Sequence, residues 1–140
     1  MTGEVSFRVY GIPSPQGSKS AYVRGGRAIL VESSAKTLKP WRDSITHAAV
    51  EAMGGAVPFG QKFAGIELVV TFYMPPPATV KRARPSVAPD LSKLVRACED
   101  ALTAGGVWAD DSRVTKTISE KVYATPDNPP GANITVREIA

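Results

Sequence analysis

Three aspartates in the second half of the chain have the type and placement for metal chemistry. Asp90 follows a proline at the start of a helical pattern, and Asp110 and Asp111 stand just beyond its end. Converging carboxylates suit a hard divalent cation such as Mg²⁺, and a protein-bound Mg²⁺ characteristically works on phosphate groups. A helix of about 14 residues sets its ends roughly 20 Å apart, so these acids meet only if the chain folds back along the helix. The pair Gly105-Gly106 permits such a return. If a strand follows at once, its side chains alternate and only one of Asp110 and Asp111 faces Asp90. Plainer readings stand beside this one: an Asp after Pro at a helix start is a helix cap, and an Asp-Asp pair after a turn is a solvated surface pair.

Other constellations fall away quickly. Residues 11–19 approach a phosphate-binding loop, but five residues separate Gly11 from Gly17 and the run ends Gly-Ser-Lys instead of Gly-Lys-Ser. His47 lies in a helical pattern with no Ser or Cys nucleophile motif to serve. Cys98, the single cysteine, sits on an apolar stripe and reads as a small core residue; one His and one Cys cannot build the usual zinc cage. The sequon Asn133-Ile134-Thr135 has meaning only in a secreted chain. No apolar run approaches the roughly 18 residues of a membrane span, and residues 1–8 lack the apolar segment of a secretion signal. A cytoplasmic location without a membrane partner is expected.

The elements that must position the acids are legible from periodicity. Residues 4–10 alternate Val5, Phe7, Val9 against Ser6, Arg8, Tyr10, a strand pattern. Residues 16–27 are glycine-rich and basic, a loop or ribbon leading into a short apolar run at 28–31. Trp41, Ile45, Ala48, Ala49 and Ala52 recur on one helical face, which predicts a helix from about Ala35 to Met53, ended by Gly54-Gly55. Residues 63–74 read as the strongest strand, stopped by Pro75-Pro76-Pro77. Residues 78–89 form a polar, proline-broken surface connector. Leu91, Leu94, Val95, Cys98, Ala101 and Leu102 then mark a second amphipathic helix, whose other face carries Ser92, Lys93, Arg96, Glu99 and Asp100. Residues 114–123 and 132–139 read as two strands paired through a Pro/Asn/Gly turn. The order predicts an α+β fold of two layers, a mixed β-sheet with two main helices packed on one face, in a single domain spanning 1–140.

The chain has 140 residues, 43% hydrophobic and 21% charged, which excludes disordered and fibrous classes. Its net charge of +4 is unevenly placed: the first fifty residues carry +4, the next fifty +1 and the remainder −1. Lys19, Arg24 and Arg27 cluster in the ribbon, and Lys81, Arg82 and Arg84 form a second knot in the connector. Clustered cations favour a polyanionic partner through long-range attraction and counterion release.

The run Pro89-Asp90-Leu91-Ser92-Lys93-Leu94-Val95-Arg96 continues through Glu99-Asp100-Ala101-Leu102 to Gly106-Val107-Trp108-Ala109-Asp110-Asp111-Ser112-Arg113-Val114. It resembles the signature of RusA-type Holliday junction resolvases, approximately P-D-x-D-N-L-x-K, then D-A-L, then a glycine and D-D-x-x-V. Gly11-Ile12-Pro13-Ser14-Pro15-Gln16-Gly17-Ser18-Lys19 and Lys39-Pro40-Trp41-Arg42 are similar to phage-encoded members. The resemblance implies a homodimeric, Mg²⁺-dependent endonuclease, with Mn²⁺ as a substitute and no small-molecule cofactor. Such an enzyme cuts opposed strands of a four-way or otherwise branched DNA, in a bacterial host and from a phage or prophage gene.

Carried over by position, Asp90 matches the first motif Asp and Asp111 the later essential Asp, with Asp110 beside it as a further metal ligand. Two positions depart from the pattern. Ser92 stands at the second motif Asp and Arg96 at the motif Lys, while Lys93 replaces the usual Asn. Serine offers a neutral hydroxyl where an anionic oxygen is expected, so divalent affinity should fall. Arg96 can offset charge on a scissile phosphate, but its guanidinium stays protonated and is no base. The expected catalytic set is therefore Asp90, Asp111, Arg96 and Ser92, with Lys19, Arg24, Arg27, Lys81, Arg82, Arg84 and Lys93 on DNA phosphates. A junction-binding protein of this fold with impaired cleavage is the alternative, and Asp100 has no assigned role.

Overall fold

The computed structural model describes residues 3–17, 19–24, 27–32 and 35–140, with side chains described outside 18–35. Its elements are β1 (Glu4–Tyr10), β2 (Lys19–Arg24), β3 (Arg27–Glu32), α1 (Ala35–Met53), β4 (Gly65–Met74), α2 (Leu91–Ala104), β5 (Val114–Tyr123) and β6 (Gly131–Ile139). Short 3₁₀ turns at Gln61–Phe63 and Asp111–Arg113 precede β4 and β5. β1, β6, β4 and β5 form one mixed sheet in that order, and β2 and β3 form a separate antiparallel ribbon. The α+β architecture expected from the pattern is the one observed.

Register explains how the sheet makes a core. Val5, Phe7 and Val9 of β1 pair with Val136, Ile134 and Ala132 of β6, which in turn pair with Leu68, Val70 and Phe72 of β4. Three rows of apolar side chains therefore share one face, because side chains repeat every second residue. Against it lie Trp41, Ile45, Ala49 and Met53 of α1 and Leu94, Cys98, Ala101 and Leu102 of α2, all buried in one cluster. The helices meet where α2 ends: a Cβ at Gly105 would stand 2.9 Å from the Cβ of Ala49, so only glycine allows this approach. Thr46 reinforces the contact by donating to the Ala101 carbonyl at 3.0 Å.

The expected hairpin between the last two strands does not form. β6 enters the sheet between β1 and β4, antiparallel to both, and β5 pairs in parallel with the outer edge of β4. Burial decides the matter. β6 presents Ala132, Ile134 and Val136 at 1% exposure or less and suits an interior position. β5 carries Lys116, Glu120 and Lys121 and suits an edge, where charge discourages pairing with other chains. A parallel β4–β5 pair needs a crossover, and residues 75–90 with α2 supply it.

Candidate functional site

The crossover determines where each acid falls. α2 runs from the end of β4 back to the start of β5, so Asp90 and Asp111 sit at opposite ends of it. The fold-back after Gly105-Gly106 does occur, but it carries the far end of β5 towards Asp90. Lys121 of β5 arrives there and donates to the carbonyl oxygens of Val87 and Pro89 at 2.6 and 2.7 Å. Asp111 stays near the other end. Among the described residues no three His, Cys, Asp or Glu side chains gather closely enough to hold a metal ion.

Asp90 occupies the N-cap position of α2, yet its side chain makes no capping hydrogen bond. Its carboxylate is 65% exposed and lies 4.0 Å from the Lys93 ammonium. The plain reading of Asp90 as a helix cap therefore holds for its position and not for its carboxylate, which is left largely exposed. Beside it, residues 12–17, Thr37, residues 88–90 and Lys93 line an open cleft of about 420 Å³. The cleft is held together where the Gln16 backbone N–H donates to the Lys93 backbone carbonyl at 3.0 Å and where the Ser14 and Thr37 hydroxyls bond at 2.8 Å.

Asp110 and Asp111 differ from each other for a reason alternation does not supply. They enter a 3₁₀ turn, so strand geometry does not apply to them. Asp110 caps that turn, accepting from the Ser112 backbone amide at 3.1 Å and from the Ser112 hydroxyl, and these bonds hold its carboxyl below the usual range. Asp111 is exposed and makes no such local bond.

Sequence reasoning placed Glu99 on the polar face of α2 without giving it a part. In the structure Ser92, Arg96 and Glu99 follow one another at i, i+4 and i+7, a single stripe of α2. Glu99 stands nine residues from Asp90, roughly 13 Å along the axis. Partial burial raises its carboxyl, and the charges of Asp111 and Asp100 raise it further, with Arg96 opposing them. The acids whose charge bears on Glu99 are thus Asp100 and Asp111, at the end of α2 remote from Asp90. The helical wheel was the available signal for this, since it puts Glu99 in line with Ser92 and Arg96.

The basic residues divide as well. Lys81, Arg82 and Arg84 are exposed on the connector. Arg82 donates to the Tyr123 hydroxyl at 3.0 Å, and Arg84 pairs with Glu120 at 3.0 Å. Lys19, Arg24 and Arg27 belong to the β2–β3 ribbon, but their side chains lie outside the described residues. His47 is a surface residue 3.3 Å from Glu51, and Trp108 is a packing residue, 2% exposed, whose indole donates to Thr103 at 2.8 Å.

A mixed sheet with a helical crossover, flanked by separated acids and by exposed cations on the connector, defines a small α+β protein. The family model for the endodeoxyribonuclease RusA matches residues 11–137. The chain belongs to the RusA endodeoxyribonuclease family, whose members are hydrolases that act on Holliday junction DNA and use divalent metal ions. No curated protein matches the chain.

Proposed function

We propose that this chain is a Mg²⁺-dependent endonuclease that resolves four-way DNA junctions as a homodimer, each copy acting as one domain. The observation that carries the reading is Asp90: the family's first motif carboxylate stands at the head of α2 and is not consumed as a cap. The separation of Asp90 from Asp111 supports dimerisation. A two-fold axis across two copies of α2 runs them antiparallel, and the Asp90 end of one then lies towards the Asp111 end of the other. Asp90, Asp111 and Asp110 would hold the cation, which when bound neutralises phosphate charge and lowers the pKa of water. Arg96 offsets charge on the nonbridging oxygens. Lys93, Lys81, Arg82 and Arg84, with Lys19, Arg24 and Arg27 of the ribbon, hold flanking phosphates, and junction shape in place of base identity guides binding. Among the described residues no helix is long and apolar enough to cross a membrane. The site of action is the cytoplasm of a bacterial host, from a phage or prophage gene.

A second reading is favoured by Ser92, which is exposed on the catalytic stripe with a hydroxyl in place of the motif carboxylate. In it the protein binds junctions and cuts them poorly. Incubating the protein with a synthetic four-way junction and Mg²⁺, beside Asp111→Asn and Ser92→Asp, separates the two. Cleavage by the wild type that Asp111→Asn abolishes supports the enzyme. Binding without cleavage, with cleavage gained by Ser92→Asp, supports the second reading. Equal affinity for junction and duplex rejects both.

A further inference from the structure

The turn before β4 holds an aromatic ring in solvent at a conformational cost. Phe63 is 81% exposed, the most exposed large hydrophobic side chain among the described residues. Lys62 and Phe63 have φ of 56° and 61°, both in the left-handed region, where a bulky residue is an outlier. Gly60, at φ 83°, begins the same turn, and a Cβ there would stand 2.9 Å from Arg113. Exposing the ring gains no burial that would offset this conformation.

The turn is nevertheless firmly fixed. The Gly60 amide donates to Glu138 at 2.9 Å, and the Arg113 guanidinium donates to the Gly60 carbonyl at 3.3 Å. Arg113 then lies over the Phe63 ring, 4.2 Å from its centroid. A second Arg113 nitrogen donates to the Ser112 hydroxyl at 3.1 Å, and Ser112 bonds to Asp110. The ring is therefore coupled through two side chains to the turn that carries Asp111. One of its faces is covered by a cation, and Lys62, the preceding residue, is exposed.

We propose that Phe63 is a base-stacking residue, whose free face receives an unstacked nucleobase at the branch of the DNA that this protein binds. The inference rests on the nuclease reading above. Every base has a flat π-face, so an exposed aromatic backed by a cation takes up a base without regard to its identity. Bases beside a branch are the ones available, because those within a duplex are already stacked. Backbone strain retained at an exposed position is the pattern of a group shaped for a ligand.

The test uses full-length protein and a four-way junction carrying 2-aminopurine next to the branch. Wild-type protein quenches the fluorophore on binding, and Phe63→Trp retains the quench. Phe63→Ala loses it and weakens junction binding about tenfold, with duplex affinity and the salt slope unchanged, since stacking releases no counterions. Phe63→Gly raises the melting temperature while losing the same affinity, which a purely structural role would not produce. If Phe63→Ala keeps both quench and affinity while wild type prefers junctions, stacking is overturned and the nuclease reading stands. If Phe63→Ala instead converts a dimer to monomers on sedimentation, the ring belongs to an interface between copies and stacking is overturned. If wild type itself shows no junction preference, the nuclease reading fails first.

Discussion

Lys121 ties the edge strand to the residue before Asp90: its ammonium donates to the Pro89 carbonyl at 2.7 Å and to that of Val87 at 2.6 Å. A charged donor bridging two carbonyls fixes the entry to α2, and with it the direction from which Asp90 projects. Lys121→Met should destabilise the fold by about 1–2 kcal/mol, less than two fully buried charged hydrogen bonds. It should slow junction cleavage about tenfold with little change in binding, because Asp90 is displaced and no phosphate contact is lost. Urea unfolding and single-turnover cleavage report the two effects separately.

The cations of the connector should contribute unequally to DNA affinity. Lys81→Ala should reduce the slope of log K against log salt by roughly 0.9, the value for one phosphate contact. Arg84→Ala should reduce it less, because Glu120 already pairs with Arg84 at 3.0 Å. Glu120→Ala should tighten binding by freeing that guanidinium. Titrations at three salt concentrations decide this, and equal slopes for Lys81→Ala and Arg84→Ala would refute it.

Glu67 gives stability a defined acid limb. Its side chain, 4% exposed on the sheet face away from the helices, bonds Arg137 at 2.6 Å and Lys116 at 3.2 Å. The Arg137 hydrogen bond holds the carboxyl below its usual value against the opposing effect of burial, and Lys116 acts in the same sense as Arg137. The folded state therefore binds this proton less readily than the unfolded chain. Its contribution is fully present above the ordinary carboxyl pKa of about 4.3 and is lost as pH falls through the folded value. Glu67→Gln should be less stable than wild type at neutral pH, and the difference should shrink on acidification. Parallel stability curves from pH 7 to pH 3 would contradict the assignment.

Cys98 should be chemically silent in the folded protein. It has no exposed surface, and burial, with the charge of Glu99 adding to it, pushes the thiol well above its usual range. An aromatic disulfide reagent should label it only in denaturant, since the thiolate is the reactive form. Rapid labelling in native buffer would show that the α2 face of the core opens.

Ser92→Asp restores an anionic oxygen to the stripe that Arg96 and Glu99 share. It should lower the Mg²⁺ concentration required for half-maximal cleavage several-fold, because a hard cation gains a charged ligand. An unchanged Mg²⁺ requirement would mean that position 92 does not face the cation.

Local periodicity carried most of the fold. The apolar face from Trp41 to Ala52 predicts a helix with the observed bounds, and the stripe from Leu91 to Leu102 predicts α2. β4 begins at Gly65 and not at residue 63, because Lys62 and Phe63 adopt a left-handed turn that an aromatic, strand-favouring composition hides. The partner of β6 was illegible for a different reason. A Pro/Asn/Gly turn announces a reversal, but which strand is paired afterwards depends on burial across the whole sheet. In the site, the acids were visible as residue types. Spacing could not show that α2 is a crossover, and so could not show that Lys121 reaches Asp90's end while Asp111 stays at the other.

The single stripe of Ser92, Arg96 and Glu99 also limits how this sequence can drift. One residue added within α2 would turn everything beyond it by about 100°, carrying Glu99 off the stripe and Cys98 out of the core. The same insertion in the exposed segment 81–84 would only lengthen a surface path. Length variation among related chains should therefore collect before Asp90, while the count from Asp90 to Asp111 stays constant.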